Sequence, residues 1–374
     1  MKIGILTYHR SINYGAYLQA YALCSVISER YPSASVELID YDMKASDRFY
    51  KRQLLRKTLV TKSMKGFIYY LQQYKTFERS QSKLKLSSES LYYSNLEEFE
   101  KYIKGKYDLI IAGSDEIWRI NSFRGFPSPY WLPGNLQCVK MSYAASARID
   151  YDSISQEDKD LMKNILSDFC YIGVRDESTK HCVDKVIGSS LAYINCDPTF
   201  LYPYRVSVEN GRNILINKFG INPDKKTIGF MLEDSEIPRK FVSTYGDKYN
   251  YISLFDYHKE TRNYARLSPF EWIDVISALD LFITSRFHGV CFALKNNVQF
   301  IAVEERKTSI DNSKIYDILN RLNLCERYYC SKEMITAEII KETEHFIQID
   351  TEYNYQPLIE LSNSFFEKLD NFVK

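Results

Sequence analysis

Apolar runs alternate with segments of helical periodicity in the first half of the chain. The run from Lys2 to Tyr8 is followed by a polar loop and then by Leu18, Ala22 and Val26 at helical spacing. The run at residues 107–112, apolar except for Asp108, is typical of a central strand in a parallel sheet that is covered on both faces. Further strands are predicted at residues 36–41, 139–144, 171–174 and 191–194. This alternation predicts an open α/β sheet.

The same alternation begins again after an interruption. Residues 203–226 break the pattern with glycine and proline and are predicted to connect two domains. Beyond them, strands are predicted at residues 227–232, 251–255, 281–283 and 298–303. Ser268 and Glu271 form the signature of a capping box at the start of an intervening helix. The predicted divisions are an N-terminal α/β domain at 1–205, a C-terminal one at 206–352, and an amphipathic helix in 353–374 that packs back.

Length, net charge and cysteine spacing exclude several classes of protein. The 374 residues are enough for two hydrophobic cores, and a formal net charge of +1 gives no general attraction to nucleic acid, so none is predicted as a partner. The eight cysteines include no C-x-x-C pair, which predicts reduced thiols and no metal site. Thr7, His9 and Arg10 interrupt the apolar start, and no apolar run reaches 18 residues, which predicts a cytoplasmic protein.

One segment departs from this neutral composition. Residues 44–85 contain twelve Lys or Arg against two acidic residues, interleaved with aromatic and aliphatic side chains. One interpretation is a solvated helical insertion in the first domain. The other is a basic, aromatic helical surface that lies on an anionic membrane, which predicts a peripheral protein at the inner face of the membrane.

The sharpest polar motif is Thr284-Ser285-Arg286-Phe287-His288-Gly289, between an apolar strand and a predicted helix at 290–295. In open α/β sheets, ligands bind beyond the carboxyl ends of the strands, where a helix N-terminus attracts anions. A guanidinium fork, a titratable imidazole and a glycine that admits close backbone approach suit a phosphorylated or carboxylated substrate. The alternative is that His288 is a packing residue.

A second strand end carries another arginine. Arg175 lies in Gly173-Val174-Arg175-Asp176-Glu177-Ser178, where a strand again runs into a polar turn. It is either a second anion ligand or a surface side chain paired with Asp176 or Glu177, which contributes little to stability.

Two further motifs have the residue types of a sugar site. In the loop before the first helix, Gly15 leaves room for a ligand and Asn13 can hydrogen-bond sugar hydroxyls, but the spacing is not that of a dinucleotide or Walker motif. Asp115 and Trp118, after the strand at 107–112, offer a carboxylate and an indole. Asp115 is equally consistent with a helix N-cap.

Together and in this order, the four motifs resemble the polysaccharide pyruvyl transferase family. The correspondence runs through residues 13–23, 112–118, 142–146, 173–177, 197–199 and 286–294. It spans about residues 1–325 and leaves out 44–85 and the C-terminal tail.

The resemblance implies a fold, an activity and a site. The fold is α/β, with two Rossmann-like domains similar to the glycosyltransferase type B architecture and a cleft between them. The implied activity uses phosphoenolpyruvate to form a pyruvate ketal on a sugar of an exopolysaccharide, capsule or cell-wall glycan, with no cofactor besides this co-substrate. The donor-binding residues would be Arg175, Arg286, Phe287, His288 and Gly289, and the acceptor-binding residues on the N-terminal side would be Asn13, Gly15, Asp115 and Trp118.

The chemistry agrees with these residue types. Phosphoenolpyruvate carries a phosphate and a carboxylate, which two guanidinium groups, those of Arg175 and Arg286, can each bind by paired hydrogen bonds. His288 is the candidate general acid, because the methylene carbon must gain a proton while a sugar hydroxyl attacks its neighbour. No step requires a metal.

Two other functions stay open. A nucleotide-sugar glycosyltransferase of the same fold would also bind anions here, although its ribose-binding carboxylate pair is not evident near Glu304 and Glu305. A non-catalytic glycan-binding protein is the second. The basic segment 44–85 further suggests a lipid-linked oligosaccharide as the acceptor.

Overall fold

A computed structural model describes residues 1–61, 63–92, 95–120, 123–305, 310–330 and 332–373 of the protein. The chain divides into two units, each with its own six-stranded parallel sheet. Unit 1 comprises residues 1–51, 82–203 and 356–374, and unit 2 comprises residues 52–81 and 204–355. No helix within the described ranges is long and apolar enough to cross a membrane.

The sheet of unit 1 has the order β2-β1-β5-β6-β7-β8, and a separate parallel pair joins β3 to β4. The strands are β1 (Lys2–Leu6), β2 (Ser35–Leu38), β3 (Tyr41–Asp42), β4 (Leu91–Tyr92), β5 (Leu109–Ala112), β6 (Val139–Ala145), β7 (Phe169–Val174) and β8 (Ala192–Ile194). In register, Ile3 pairs with Leu109 and Ile110 with Lys140. Because the six strands of the larger sheet are parallel, their carboxyl ends lie at one edge of it.

Several helices in the first half of the chain begin at side-chain caps that their sequences supply. They are α1 (Tyr14–Arg30), α2 (Lys44–Thr61), α3 (Met64–Ser80), α4 (Leu96–Ile103), α5 (Gln156–Leu166), α6 (Glu177–Ile187) and α7 (Pro198–Leu201). Asn13 caps α1, Asp176 caps α6 and Asp197 caps α7, each accepting hydrogen bonds from backbone N–H groups of the first turn.

The sheet of unit 2 has the order β11-β10-β9-β12-β13-β14. Its strands are β9 (Thr227–Met231), β10 (Asn250–Ser253), β11 (Arg262–Asn263), β12 (Leu281–Thr284), β13 (Phe300–Val303) and β14 (Tyr328–Tyr329). Its helices are α8 (Val208–Ile214), α9 (Glu236–Tyr245), α10 (Pro269–Ser277), α11 (Phe287–Lys295), α12 (Lys314–Arg321) and α13 (Lys332–Gln348). The predicted capping box of Ser268 and Glu271 is present at α10.

The division between the two units falls at residues 203 and 204, at the start of the predicted connection, but the rest of that segment is not a plain linker, because α8 lies within it. Gly211 looks like a helix breaker in the sequence, but a Cβ at this position would lie 1.9 Å from the carbonyl oxygen of Asp274. Glycine therefore allows α8 to pack tightly against α10. The Asp274 carboxylate reinforces the contact by accepting from the backbone N–H of Ser207 at 2.9 Å and from Asn210 Nδ2 at 2.7 Å.

The basic segment is helical, but the prediction that it is inserted in the first domain is wrong for residues 52–81, which belong to unit 2. Tyr69, Tyr70 and Gln73 are buried at the i, i+1 and i+4 positions of α3. The two tyrosines form a hydrophobic cluster with Ala265. Burial of this face on unit 2 explains why the segment follows that unit and not its neighbours in sequence.

The closing helical segment, predicted as one helix in 353–374, is two helices on unit 1, α14 (Gln356–Glu360) and α15 (Asn363–Val373). The hydroxyls of Ser362 and Tyr143 are hydrogen-bonded at 2.8 Å, and the ring of Phe365 packs against Tyr143 with centroids 4.7 Å apart.

Candidate functional site

Polar residues from four segments meet at the carboxyl edge of the unit 2 sheet. β9, β10, β12 and β13 run parallel, so the residues that follow them lie at one edge, where open α/β sheets bind ligands. These residues are Glu233 after β9, Asp256 after β10, Ser285 and Arg286 after β12, and Glu305 after β13.

Arg286 occupies the N-cap position of α11. Its Nη2 lies 2.9 Å from Glu233 Oε1 and 3.5 Å from Asp256 Oδ2. Its backbone N–H donates to Thr284 Oγ1 at 3.0 Å, which fixes the turn from strand to helix. The side chain is 27% exposed, and its Nε is buried without a hydrogen-bond partner among the described residues. The guanidinium therefore keeps donor capacity for an anion.

A lysine from the basic segment completes this group. Lys57 Nζ, on α2, lies 2.6 Å from Asp256 Oδ1. Asp256 is 7% exposed and places one carboxylate oxygen near each cation. Burial by itself raises the pKa of Asp256, but the charges of Lys57 and Arg286 outweigh burial and hold that pKa below its ordinary value. Asp256 is therefore an ionised bridge between two cations.

The two glutamates after β13 are held by other parts of unit 2. Glu305 accepts from the backbone N–H of Glu233 at 3.0 Å and of Asp234 at 2.7 Å, and also from the Ser285 hydroxyl. Glu304 accepts from Ser313 Oγ at 3.1 Å. These carboxylates hold loops in place and are not presented as a free pair for ribose hydroxyls.

The motif after β12 begins its helix earlier than predicted, at Phe287 in place of residue 290. Phe287 and His288 are 6% and 7% exposed, so both lie mostly buried in the first turn of α11. A Cβ on Gly289 would lie 2.3 Å from Thr284 Oγ1. Glycine therefore lets α11 start close against the strand that carries Arg286.

Arg175 lies in unit 1 and is not a surface residue. It is 5% exposed, and its guanidinium lies 3.0 Å from Asp197 Oδ2 and 3.6 Å from Asp115 Oδ1. Burial disfavours its charged form, but the nearby carboxylates outweigh burial and raise its pKa, so it stays a cation. The structure thus pairs a residue predicted to bind the donor with one predicted to bind the acceptor.

The predicted loop motif of Asn13 and Gly15 is the start of α1. Asn13 Oδ1 accepts from the backbone N–H of Gly15 at 2.9 Å and of Ala16 at 3.4 Å. The Asn13 side chain is exposed, whereas Gly15 is buried within the first helical turn. The interpretation of Gly15 as open space in a loop is therefore wrong, because the helix begins at Tyr14.

Asp115 is not a helix cap. It adopts a φ of 79°, and its carbonyl oxygen accepts from the backbone N–H of Ser146 at 2.9 Å, which extends the contact between β5 and β6. The role predicted for Trp118 is wrong, since this side chain is fully buried and stacks on Trp131 with centroids 5.0 Å apart. An indole in the core cannot contact a sugar.

An aromatic surface that the sequence motifs missed lies just beyond β1. The guanidinium of Arg124 lies 4.1 Å from the centre of the half-buried Tyr8 ring and 4.3 Å from that of Phe123. Nearby, Asp40 accepts from His9 Nε2 at 2.9 Å and from Arg10 Nε at 2.6 Å. Planar rings with polar neighbours suit a sugar better than the buried indole.

The sequence analysis did not identify Asp256 or Lys57 as site residues, and the reasons differ. Asp256 directly follows a predicted strand, so an acidic residue at a strand end could have been recognised. Lys57 has no local signal, because its partner Asp256 is 199 positions away.

Two α/β sheet units of this kind define a fold class. The UDP-GlcNAc 2-epimerase of Methanocaldococcus jannaschii is similar over 99% of this chain and 100% of its own, with a TM-score of 0.55 and 11% identity. The S. aureus MnaA–UDP complex is similar over 100% of this chain and 96% of its own, with a TM-score of 0.56 and 10% identity. The Neisseria meningitidis UDP-GlcNAc 2-epimerase bound to UDP-GlcNAc has a TM-score of 0.55 at 10% identity, over 99% and 100% of the two chains. The fold is of the glycosyltransferase type B class.

Within this fold class, the sequence identifies the family. Residues 13–306 match the polysaccharide pyruvyl transferase family, and the chain belongs to it. This range includes the predicted donor motif, Arg175, and the helix that carries Lys57. A comparison with curated proteins finds no match.

Proposed function

We propose that this protein transfers the pyruvyl group of phosphoenolpyruvate to two hydroxyls of a glycan sugar, forming a ketal and releasing phosphate. Family membership supports a pyruvyl transferase. The observation that carries the donor assignment is Arg286 at the strand-to-helix turn, with Lys57 beside it across Asp256. Two cations at the carboxyl edge of a parallel sheet suit a small trianionic donor.

The proposed reaction balances without an oxidant or a metal. A proton adds to the methylene carbon of phosphoenolpyruvate, and one sugar hydroxyl bonds to the adjacent carbon. The carbon–oxygen bond to phosphate then breaks, and a second hydroxyl closes the ketal. Of the two protons lost by the hydroxyls, one is equivalent to that gained by the methyl group and the other leaves with phosphate. His288, in the first turn of α11, is proposed to supply the proton to carbon.

The remaining donor residues have different proposed roles. Phe287 and Gly289 shape the turn that presents Arg286 and His288. Arg175 is proposed as a second anion ligand. The donor would displace Asp115 from the Arg175 guanidinium, because Asp115 is 12% exposed, whereas Asp197, which also contacts that guanidinium, is fully buried.

The acceptor is proposed to bind unit 1. Asn13 is exposed and keeps its amide N–H groups, and Asp115 keeps a second carboxylate oxygen. Trp118 is too deeply buried to contact the acceptor, and the Tyr8 ring and Arg124 guanidinium of the aromatic surface beyond β1 are proposed to contact it instead.

A lipid-linked oligosaccharide at an anionic membrane is the proposed form of the acceptor. Tyr69 and Tyr70 of the basic segment pack on unit 2 and cannot face lipid. The segment still exposes large apolar side chains, which are Leu55, Leu59, Met64, Phe67 and Ile68. Arg52, Arg56 and Lys65 are exposed among them, and basic residues around apolar ones complement anionic lipid.

Vesicle flotation tests this contact. Vesicles containing phosphatidylserine should retain the protein at low salt and lose part of it at high salt. Leu59→Glu should reduce retention, whereas Lys101→Gln, an exposed change on α4 outside the basic segment, should not. Absence of retention at low salt would overturn the membrane proposal without affecting the donor assignment.

The reaction itself is tested by phosphate release. Wild-type protein with phosphoenolpyruvate and a panel of sugar acceptors should release phosphate only when an acceptor is present. His288→Ala should abolish release yet retain phosphoenolpyruvate binding in a thermal-shift assay, whereas His181→Ala, at an exposed histidine, should do neither. A thermal shift with a nucleotide sugar but not with phosphoenolpyruvate would favour a glycosyltransferase, and a shift only with a glycan would favour a binding protein.

A further inference from the structure

One cation at the carboxyl edge of the unit 2 sheet, where the donor is proposed to bind (the donor edge), has not been matched to a group of the donor. Lys57 comes from a helix that precedes the unit 2 sheet by more than 160 residues of sequence, yet its ammonium lies 2.6 Å from Asp256, which also faces Arg286. The proposed function places Lys57 beside Arg286 but does not say which group of the donor it contacts.

The position of Lys57 is fixed by aromatic packing as well as by charge. Its Nζ lies 4.6 Å from the centre of the Phe255 ring and 5.3 Å from that of Tyr70. Cation–π contacts of this kind hold the ammonium at the loop that follows β10. The Arg286 guanidinium lies 5.7 Å from the same Phe255 ring. Phe255 and Asp256 therefore fix both cations beside one another.

The loop that carries Asp256 is itself held by α3. Gln73 Nε2 donates to the carbonyl oxygen of Phe255 at 2.9 Å, and Tyr70 OH accepts from the backbone N–H of Tyr257 at 3.1 Å. The helical pair α2 and α3 thus contributes both the lysine and the side chains that fix its partner. A segment that only covered the surface would need neither contact.

Lys57 also has capacity left for a ligand. An ammonium has three N–H donors, and Asp256 accepts from one of them. The side chain is 28% exposed, so the others can reach a solute. A lysine binds phosphate as a compact point charge, whereas a guanidinium fork matches the plane of a carboxylate.

We infer that Lys57 is a substrate-binding residue that holds the phosphate group of the donor and stabilises it as it leaves, while Arg286 binds the donor carboxylate. The inference rests on the proposed function for its substrate. Asp256 is a positioning residue, which places the two cations without contacting the donor.

Steady-state kinetics with Lys57→Gln, Lys57→Arg and the control Lys75→Gln test this role. Lys57→Gln should raise the KM for phosphoenolpyruvate at least tenfold, and Lys57→Arg should restore part of the loss. Inorganic phosphate should inhibit Lys57→Gln at least tenfold less well, whereas inhibition by pyruvate, which lacks the phosphate, should not change. Lys75→Gln should match wild type in all three measurements.

Two controls separate this role from a merely structural one. If Lys57 served only to neutralise Asp256, the double variant Lys57→Gln with Asp256→Asn would recover inhibition by inorganic phosphate. That recovery, or equal phosphate inhibition of Lys57→Gln and Lys75→Gln, would overturn the inference.

Calorimetry with inorganic phosphate distinguishes failure of this inference from failure of the proposed function. Wild type that releases no phosphate from phosphoenolpyruvate, but binds inorganic phosphate in a Lys57-dependent way, would overturn the proposed function and support the phosphate site. If instead the wild type is active and Lys57→Gln leaves phosphate binding unchanged, the proposed function would be supported and the phosphate site at Lys57 would be overturned.

Discussion

The guanidinium of Arg175 lies 3.6 Å from Asp115 and 3.0 Å from Asp197, where the ends of three strands of the unit 1 sheet converge. The sequence motifs assigned Arg175 and Asp115 to different substrates, but each compensates the charge of the other. This arrangement gives Arg175 a structural contribution that can be measured apart from any role in binding.

We expect Arg175→Gln to lower the free energy of unfolding by roughly 3–5 kcal/mol, because it leaves buried carboxylates without a cation. Urea denaturation measures this change. Arg119→Gln removes an exposed arginine 3.7 Å from Glu116 and should cost about 1 kcal/mol or less. Equal effects of the two variants would contradict a buried charge cluster at Arg175.

Arg286→Gln should weaken donor binding. Loss of a charged hydrogen-bond donor costs about 1.5–3 kcal/mol, so the KM for phosphoenolpyruvate should rise roughly 10- to 100-fold. Arg286→Lys should not restore it fully, since an ammonium cannot reproduce the guanidinium fork. An unchanged KM in Arg286→Gln would remove Arg286 from the donor site.

Glu233→Gln should have the opposite effect and strengthen donor binding. Glu233 lies 2.9 Å from Arg286 Nη2 but is 49% exposed, so an anionic donor can displace it. Removing its charge removes a competitor worth about 1 kcal/mol or less at this exposure, and the KM should fall by up to roughly fivefold. A raised KM would instead show that Glu233 positions Arg286 for binding.

Gly289→Ala should disturb the turn that presents the donor residues. The added methyl group would lie 2.3 Å from Thr284 Oγ1, and Thr284 in turn accepts from the backbone N–H of Arg286. We expect a loss of about 1–3 kcal/mol in unfolding free energy, the usual cost of overpacking, together with reduced activity. Combining Gly289→Ala with Thr284→Ser, which removes one methyl group, should recover only part of the loss, because the clashing oxygen remains.

The lowered pKa of Asp40 predicts that the free energy of unfolding depends on pH. Burial alone raises the pKa of Asp40, but its hydrogen bonds with His9, Arg10 and Ser90 outweigh burial and lower it well below its ordinary value. A lowered pKa contributes stability that is present above the unfolded value, about pH 4, and is lost as the pH falls through the folded value.

Asp40→Asn should therefore destabilise the protein most at neutral pH, by roughly 3 kcal/mol, and less at pH 3. Chemical denaturation at pH 7 and pH 3 measures the two differences. A deficit that is the same at both pH values would mean that the carboxylate charge contributes nothing, and that only shape or neutral hydrogen bonding is lost.

The elements that local pattern encodes were largely predictable. Apolar runs predict all six strands of the unit 1 sheet and four of the six in unit 2, but not the short edge strands β11 and β14. The side-chain cap of Ser268 with Glu271 predicts where a helix begins. Both features depend on residues within one turn or one strand, so the neighbouring sequence contains the information. The glycosyltransferase type B fold and the family follow from motifs of the same local kind.

Long-range contacts decided what local pattern could not. Gly211 looked like a breaker because its partner, the Asp274 backbone, is distant in sequence. Trp118 looked like a sugar ligand because burial depends on what packs over a side chain, here Trp131. Neither outcome is contained in the residues immediately beside them.

The donor edge also contains some residues that local sequence predicts and others that only long-range contacts place there. That Arg286 and His288 lie at the carboxyl end of a strand could be predicted from the sequence, because they closely follow an apolar run along the chain. Only the tertiary structure placed Lys57 at 2.6 Å from Asp256, because parallel strands and a helical pair bring together residues that are 199 positions apart. Electrostatic interaction depends on distance in space, and the fold sets that distance.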